Sequence, residues 1–250
     1  MANSQRQNEI MDMLLDEGYM SVEKLAKRVH ISESSIRRDL AALEKRGLIH
    51  RSYGGAEPTH ADSINISFST RMLVNQQKKK QIASVALNLI KPGNVIFCNS
   101  GSTVQFLVQL LPSLKELTVI TNGIEALYYL SQKNVRTIST GGIVNEDNNN
   151  SLVGSKATAF WKNLRADIAF FSAQTIDSDG NIFSNYENEI DNTLAMLDSA
   201  TTKVLLCDSS KIGKNATFLV GTLRNVDILI CDKDLSKKFS KKFPNVIFLH

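Results

Sequence analysis

Two adjacent arginines, Arg37 and Arg38, lie in the stretch ISESSIRRDLAALEKRG, where the apolar residues Ile36, Leu40 and Leu43 follow helical spacing. This spacing predicts a helix whose apolar face is buried and whose arginines point outward. Arginine donates hydrogen bonds in a planar fork that fits guanine edges and phosphate groups. The pair therefore indicates a DNA-binding surface, although a helical bundle with a solvated arginine face would show the same pattern.

The segments around this helix complete the expected DNA-binding domain. QRQNEIMDMLLDEG and SVEKLAKRVH also have helical spacing, and a short link joins the second helix to the third, as in a helix-turn-helix. LIHRSYGGA predicts a strand, a turn and a returning strand that form a wing against the DNA backbone. The candidate DNA-binding residues are Ser34, Ser35, Arg37, Arg38, Arg51 and Tyr53.

Polar loops follow the predicted strands in the rest of the chain. Apolar runs such as NVIFC, LTVIT and DIAFFSA alternate with helical segments, which predicts a mostly parallel sheet covered by helices. Ligands of such sheets bind beyond the carboxyl ends of the strands. The loop NSGST at residues 99–103 offers a glycine turn, hydroxyls and the first amides of a helix, so it predicts an anion site. A single loop of this kind is often only a helix cap.

Four further loops are expected at the same edge of the sheet. They contain NG at 122–123, GG at 141–142, QTIDSDGNIF at 174–183, and DSSK at 208–211. Lys211 could meet a phosphate or a carboxylate, or it could form a structural ion pair with Asp208. Because all these loops would converge, we expect a site for a small phosphorylated polyol.

Bulk composition excludes several classes of protein. The chain has 250 residues, 42% hydrophobic and 22% charged, with a net charge of +4, and no apolar run reaches the roughly 18–20 residues that span a bilayer. The polar start MANSQRQNEI does not look like a secretion signal. Three cysteines lie in separate apolar runs and four histidines form no zinc pattern. We expect a cytoplasmic protein with no membrane partner, no metal and no cofactor.

Changes in composition predict the domain boundaries. We expect a DNA-binding domain at residues 1–57, a polar linker at 58–76 and an α/β domain at 77–250. The second domain should begin with the helix KKKQIASVALNLI, whose lysines 78–80 are expected to be solvated.

The sequence resembles the DeoR-type bacterial repressors of sugar catabolism over nearly its whole length. LAKRVHISESSIRRDLAALEKRGLIHRSYGGAEP is similar to their winged helix-turn-helix, and VITNGIEAL and VLLCDSSKIGKNATF are similar to their effector domain. The resemblance implies an α/β fold class, in which a small winged helix-turn-helix domain precedes a larger α/β sensor domain like ribose-5-phosphate isomerase and the CoA transferases. It also implies that the sensor binds a phosphorylated sugar.

Matching positions imply roles for individual residues. Ser34, Ser35, Arg37 and Arg38 should lie nearest the DNA. Asp39 should be structural, by orienting a neighbouring arginine or lying against the second helix. The phosphate should be held by Ser100, Gly101, Ser102 and Thr103. The rest of the pocket should be lined by Thr121, Asn122, Gly141, Gly142, Asp177, Glu189 and Lys211.

Two positions depart from the family pattern. The loop at residues 99–103, which the resemblance expects to hold the phosphate, is called the phosphate loop. Asn99 stands where an aspartate usually opens this loop, and Thr193 stands where a lysine usually lies four residues after Glu189. We keep Asn99 as a candidate effector-binding residue, and expect altered sugar selectivity or a weakened or lost response.

The functional expectation is a transcriptional repressor of a carbohydrate operon that acts as a homodimer or homotetramer. Two alternatives are a sugar-phosphate isomerase or transferase with a DNA-binding extension, and a DNA-binding protein without an effector. The sequence leaves open whether the ligand releases DNA or promotes binding.

Overall fold

The protein is described by a computed structural model, which covers residues 2–59, 68–214 and 216–250. The chain divides into two compact units, Met1–Gln76 and Gln77–His250. The first unit therefore includes the described part of the predicted linker, while residues 60–67 of that linker lie outside the described residues.

The first unit contains three main helices, one short helix and a small sheet. Its elements are α1 (Ala2–Glu17), β1 (Met20–Ser21), α2 (Val22–Val29), α3 (Glu33–Lys45), β2 (Ile49–Ser52), β3 (Gly55–Pro58) and α4 (Phe68–Arg71). The strands form an antiparallel sheet in the order β1-β3-β2.

One apolar core holds this unit together. Leu14 of α1, Leu25 of α2 and Leu40 of α3 are almost completely buried in it. Burying each such side chain stabilises the folded state by about 1.5–3 kcal/mol. Gly18 ends α1 at a φ of 75°, a left-handed conformation that glycine adopts without strain.

The second unit alternates strands and helices. Its helices are α5 (Gln76–Leu87), α6 (Ser102–Val108), α7 (Ile124–Ser131), α8 (Ser155–Lys162), α9 (Ile190–Asp198) and α10 (Ser236–Phe239). The strands of the main sheet are β4 (Val95–Cys98), β5 (Thr118–Thr121), β6 (Arg136–Ser139), β9 (Ala166–Phe171), β12 (Ala200–Leu206), β14 (Ile228–Ile230) and β15 (Ile247–Leu249).

The main sheet is parallel, in the order β15-β14-β12-β9-β4-β5-β6. The predicted fold class, a small winged helix-turn-helix domain followed by a larger α/β domain, is therefore confirmed. Strands buried on both faces read as continuous apolar runs, which is why the sequence reveals them.

Two small antiparallel sheets accompany the main one and were not predicted. One pairs β7 (Ile143–Val144) with β8 (Leu152–Val153), and the other joins β10 (Thr175–Ile176), β11 (Asn181–Ser184) and β13 (Phe218–Thr222). Except for β13, these strands have only two to four residues and lie within polar sequence, so they carry little of the apolar periodicity by which strands are recognised.

The cysteines are buried and reduced. Cys98, Cys207 and Cys231 have almost no exposed surface, and all three are free thiols. Burial raises the pKa of the Cys98 thiol to about 12, so this side chain behaves as a small apolar group.

Candidate functional site

The helix α3 presents its predicted basic face to solvent. Ser32 caps the helix, because its Oγ accepts a hydrogen bond from the Ser35 amide at 3.4 Å. Ile36, Leu40 and Leu43 are buried on the core side. Ser34, Arg37 and Arg38 are exposed, and Ser35 is half-buried. The predicted register of the helix is therefore present.

The two arginines are held only weakly. Arg37 Nη2 lies 2.9 Å from Glu33 Oε2, one helical turn earlier, and both side chains are about half exposed. Arg38 Nε donates to the Ser34 carbonyl at 3.4 Å. An exposed ion pair of this spacing contributes only about 0.3–0.5 kcal/mol. DNA phosphates or base edges could replace both contacts at little cost.

The wing extends from the same unit. Tyr53 is fully exposed at the turn between β2 and β3, and Gly54 beside it has a φ of 83°. Arg51 is exposed on β2, and its Nε lies 3.6 Å from Glu44 Oε2 of α3. A Cβ on Gly55 would lie 2.4 Å from the Met20 carbonyl oxygen, so glycine allows β3 to pack closely against β1.

Asp39 has a structural role, and its partner lies on α1. Arg6 Nε donates to Asp39 Oδ2 at 2.6 Å, Arg6 Nη2 donates to Oδ1 at 3.0 Å, and Gln7 adds a bond of 3.3 Å. The structural role was expected, but neither an arginine of the same helix nor α2 provides the contact. Asp39 is almost completely buried, so this pair anchors the recognition helix to α1.

In the second unit, the carboxyl ends of the central strands are aligned. Cys98 pairs with Thr121 on one side and with Phe170 on the other, and Thr121 pairs with Ser139. The loops that follow β4, β5, β6 and β9 therefore begin at one edge of the sheet, as the sequence predicts. This is the edge at which ligands of parallel sheets bind.

Asn99 connects the loops after β4 and β9. Its Oδ1 accepts bonds from the Gly101 amide at 3.1 Å and the Ser172 amide at 3.3 Å, and its Nδ2 donates to the Ser172 carbonyl at 3.2 Å. The amide thus uses both its donor and its acceptor on the backbone. The departure from the family's aspartate has a structural effect here, because the side chain shapes the phosphate loop.

The phosphate loop requires its glycine. A Cβ on Gly101 would lie 1.8 Å from Ser172 Oγ and 3.0 Å from Ser172 Cβ. Ser100, Ser102 and Thr103 are buried beside it, and Thr103 Oγ1 has no hydrogen-bond partner among the described residues. The loop therefore packs tightly at the start of α6, with hydroxyl groups inside rather than in solvent.

A single carboxylate oxygen gathers three donors next to this loop. Glu189 Oε1 accepts from Ser151 Oγ at 2.6 Å, from Asn148 Nδ2 at 2.7 Å and from Ser100 Oγ at 3.5 Å. Asn150 Nδ2 also donates to the Ser100 carbonyl at 3.0 Å. The residues 148–151 thereby connect the phosphate loop to the start of α9.

These residues border a narrow cleft. Its lining consists of Asn99, Ser100, Asn122, Trp161, Glu189, Asn192, Thr193 and Met196. Its free volume of about 10 Å³ is roughly what one water molecule requires. A ligand larger than one small group therefore reaches out of the cleft or widens it.

Sequence reasoning missed several residues of this cleft. Trp161 and Asn192 lie on helices, where they look like ordinary core and surface positions, and the asparagine run at 148–150, whose first and last side chains support the cleft, lies in a loop. An Asn-rich run between two apolar dipeptides was the available signal, because such amides can satisfy many backbone and side-chain groups at once.

Lys211 lies near a second group of charges. Its Nζ donates to the Ala173 carbonyl in the loop after β9, at 2.8 Å. Asp208 is buried: burial by itself would raise its pKa, but the charges of Lys211 and Lys79 and hydrogen bonds from Ser210 hold the pKa of Asp208 below its ordinary value.

The buried Lys79 corrects an expectation. Lys79 is only 2% exposed, whereas the sequence predicted a solvated run at residues 78–80. A lysine is almost never buried unless it is paired, and the nearby carboxylate of Asp208 accounts for its position.

The remaining predicted pocket residues do not line this cleft. Asp177 lies in the turn between β10 and β11. There its Oδ1 accepts from the Asp179 amide at 2.8 Å and the Asn181 amide at 2.9 Å, and its Oδ2 from Asn181 Nδ2 at 2.8 Å. Gly141 and Gly142 are exposed beyond β6. Their binding roles, like that of Asp177, stay predictions.

Thr121 lies at the end of β5 and positions the loop beside the cleft. It is completely buried, and its Oγ1 accepts from the Gly123 amide at 2.9 Å. It therefore fixes the loop that carries Asn122.

Residues 2–59, 68–214 and 216–250 contain no group of three or more His, Cys, Asp or Glu side chains that could hold a metal ion. No helix in these ranges has both the length and the apolar character needed to cross a membrane.

Two family descriptions match the two units. The "DeoR-like helix-turn-helix domain" matches residues 6–61 and the "DeoR C terminal sensor domain" matches residues 74–233. This chain belongs to the DeoR family. It is a DNA-binding transcriptional regulator, and the predicted resemblance is confirmed.

The similarity to several described regulators extends over nearly the whole chain. The HTH-type transcriptional regulator GolR of Listeria innocua is 34% identical, over 96% of this chain and 95% of that protein. The L-fucose operon activator of Haemophilus influenzae is 31% identical, over 94% of each. The glycerol-3-phosphate regulon repressor of Escherichia coli is 28% identical, over 93% of this chain and 92% of that protein. These are regulators, in agreement with the prediction that the DeoR protein described here is not an enzyme.

Solved structures with a similar fold are more distant. The ribose 5-phosphate isomerase A of Methanocaldococcus jannaschii is 20% identical and covers 55% of each chain with a TM-score of 0.41. The eIF2B delta subunit of Chaetomium thermophilum is 13% identical and covers 64% of this chain and 58% of that one with a TM-score of 0.49.

Proposed function

We propose that this DeoR protein represses a carbohydrate-utilisation operon in the cytoplasm and responds to a phosphorylated sugar bound in its second unit. The recognition helix and the wing would contact the operator through the residues predicted from the sequence. The sugar phosphate would bind at the strand ends, with its phosphate at residues 100–103. A homodimer or homotetramer is the expected assembly.

The observation that carries this proposal is the buried polar cleft beside the phosphate loop. A DNA-binding protein that needed no effector would gain nothing from burying Asn122 and Asn192, with Glu189 half-buried beside them, around a narrow opening at the sheet edge. Buried polar groups are costly, so their concentration at one place indicates a ligand site. The names of two relatives, for a glycerol-3-phosphate regulon and an L-fucose operon, favour the carbohydrate class.

Lys211 is the proposed cationic contact of the ligand. It is half-buried beyond the carboxyl end of β12, and the hydrogen bond from its Nζ to the Ala173 carbonyl leaves further N–H donors of the ammonium group. The absence of a lysine at Thr193 leaves fewer positive charges in the cleft than the family pattern provides. A ligand with one phosphate group therefore suits the site better than a bisphosphate.

A thermal-shift screen tests the effector half of the proposal. Phosphorylated sugars are compared with their unphosphorylated parents on the purified protein. A ligand at 100 times its dissociation constant stabilises the folded state by about 2.7 kcal/mol. We expect one phosphate ester to raise the melting temperature while its parent does not.

The link to DNA is tested with the same compound. Operator sequences are first selected from random duplexes, and the affinity for the selected duplex is then measured with and without the ester. The ligand shifts DNA affinity only if it binds the two states of the protein differently. Lys211→Ala should reduce this response and leave ligand-free operator binding unchanged. A wild-type response in that variant would exclude Lys211.

A further inference from the structure

Two buried amides share one backbone acceptor at the cleft. Asn122 Nδ2 donates to the Leu152 carbonyl at 3.2 Å, and Asn192 Nδ2 donates to the same oxygen at 2.8 Å. A carbonyl oxygen has two lone pairs and can accept both. The hydrogen-bond network therefore fixes which end of each amide is nitrogen, and each Oδ1 must point the other way.

Both amide oxygens are buried without a partner. Asn122 and Asn192 are 5% and 2% exposed, and no described residue offers a hydrogen bond to Asn122 Oδ1 or Asn192 Oδ1. Both residues line the cleft. Folded proteins rarely leave a buried acceptor unpaired, because it loses its bonds to water without replacement. Two such acceptors on one small cleft indicate a ligand that donates hydrogen bonds.

The rest of the lining adds a carboxylate, an unpaired N–H group and the hydroxyls of Ser100 and Thr193. Glu189 lines the same cleft, and the three bonds that it accepts all go to Oε1. Trp161 also lines it, is 1% exposed, and its indole Nε1 has no hydrogen-bond partner among the described residues. Among the described residues, the unpaired buried atoms of the lining are therefore two amide oxygens and one N–H group, and they lie beside one carboxylate and two hydroxyls.

A hydroxyl group matches one of the two amide oxygens together with the indole N–H group, because it has a single hydrogen to donate. It can donate to an asparagine oxygen and accept from the Trp161 N–H at the same time. A carboxylate could only accept, so it would leave the amide oxygens unpaired and face the charge of Glu189. The free volume is that of about one water molecule, which suits one hydroxyl group.

We infer that this cleft, formed by Asn122, Asn192, Trp161 and Glu189, reads a neutral hydroxyl group of the effector and rejects a carboxylate at that position. The effector is thus a polyol phosphate rather than a phosphorylated sugar acid. This inference rests on the proposed function, because the phosphate of the same ligand would lie at the adjoining loop that contains Ser100. Asn192 and Trp161 become specificity-determining residues.

The test compares alcohols with the matching acids. Glycerol 3-phosphate is paired with 3-phosphoglycerate, erythritol 4-phosphate with 4-phosphoerythronate, and glucitol 6-phosphate with 6-phosphogluconate. Inorganic phosphate is the probe for the phosphate loop alone. Melting temperatures and dissociation constants are measured for the full-length protein. We expect at least one alcohol to bind, and its acid to bind at least about tenfold more weakly, because a buried acceptor stays unpaired.

Asn192→Leu removes one of the two oxygens. We expect this variant to lose most of its affinity for the bound alcohol, to keep its response to inorganic phosphate, and to melt at or above the wild-type temperature without ligand. Asn88→Leu is the control, because Asn88 is an exposed asparagine of the same unit. Asn192→Ala is the second variant if the larger side chain prevents folding.

The outcomes separate this inference from the proposal beneath it. An acid that binds as tightly as its alcohol, or an Asn192→Leu variant with wild-type affinity, overturns the hydroxyl cleft and leaves sugar-phosphate sensing intact. An Asn192→Leu variant that melts well below wild type shows instead that Asn192 is structural. If inorganic phosphate, all six esters and the phosphorylated sugars of the thermal-shift screen leave the wild-type melting temperature unchanged, the sensing proposal fails and this inference fails with it.

Discussion

The recognition helix and the sensor cleft bind, on these proposals, ligands of opposite kinds with opposite arrangements of polar groups. On α3, Arg37 and Arg38 are exposed and make contacts that solvent or DNA can replace. At the cleft, Asn122 and Asn192 are buried and their amides are fixed by one backbone carbonyl. A long polyanion in water favours mobile cations, whereas a small neutral hydroxyl favours fixed acceptors. The exposure of the binding side chains, and how firmly neighbouring groups hold them, therefore follow from the size and charge of the ligand.

The largest effect is expected at the recognition helix. Arg38→Ala should weaken specific operator binding by about 5- to 150-fold, because a bidentate contact between arginine and a base contributes about 1–3 kcal/mol. Fluorescence anisotropy with the selected operator and a scrambled duplex measures the loss. The melting-temperature shift caused by sugar phosphates should stay at its wild-type value, since the variant leaves the second unit unchanged.

Arg136→Ala is the matched control for this prediction. Arg136 is an exposed arginine of the second unit, so its removal changes the net charge equally. Operator affinity should be lost in Arg38→Ala and retained in Arg136→Ala. An equal loss of affinity in both variants would show that net charge determines binding, and wild-type affinity in Arg38→Ala would exclude a contact between Arg38 and the operator.

A smaller effect is expected at the phosphate loop. Gly101→Ala places a Cβ against Ser172, and overpacking of this kind costs about 1–3 kcal/mol. The melting temperature of the second unit should fall by several degrees, and the shift with inorganic phosphate or a sugar phosphate should be lost. Ligand-free operator binding should persist. Thermal unfolding monitored by fluorescence, together with the anisotropy assay, measures both.

A second substitution separates crowding from other consequences of the alanine. Ser172→Gly in the Gly101→Ala background removes Ser172 Oγ and Cβ, which the new Cβ meets at 1.8 and 3.0 Å, and leaves Asn99 Oδ1 at 3.0 Å. Recovery of the ligand response in the double variant is expected. A double variant that stays unresponsive would mean that Ser172 itself is needed at the site.

The two regions also differ in how far the sequence predicts them. The register of α3 follows from Ile36, Leu40 and Leu43 alone, because helical periodicity determines which side chains face the core. The strands of the main sheet follow from apolar runs, and their parallel order brings the loops after them to one edge. Both predictions use the spacing of apolar residues that lie close together in the chain, and a single sequence shows this spacing directly.

The contacts that complete the cleft depend on residues far apart in the chain. Asn122 and Asn192 both donate to the Leu152 carbonyl, yet no periodicity connects these positions. In the first unit, the pair of Arg6 and Asp39 is equally distant in sequence. Lys79 illustrates the same difficulty, since a lysine within KKK reads as solvated until the fold places it near Asp208. Satisfaction of a buried polar group depends on tertiary contacts, and local sequence carries almost no information about it.

The smallest effect is expected at Asp177, which the family resemblance assigns to the pocket and the structure places in a turn. Burial alone would raise its pKa, but hydrogen bonds from Asn181 and from the amides of Asp179 and Gly180 hold the pKa of Asp177 below its ordinary value. The carboxylate therefore stabilises the fold above its unfolded pKa of about 3.9, and this contribution disappears as the pH falls through the folded pKa. Thermal unfolding should show Asp177→Asn slightly less stable than wild type at pH 7, and this difference should shrink as the pH falls below about 3.9.

The same variant sharpens the comparison between fixed and mobile groups. If Asp177 serves only the turn, Asp177→Asn keeps the full melting-temperature shift with the sugar phosphate that stabilises the wild-type protein. Loss of that shift, with the ligand-free melting temperature little changed, would show that Asp177 contacts the ligand, as the family resemblance implies. In that case the β10–β11 turn moves towards the ligand when it binds, and a carboxylate fixed by three backbone and side-chain donors in the free protein would be a contact of the effector in the complex.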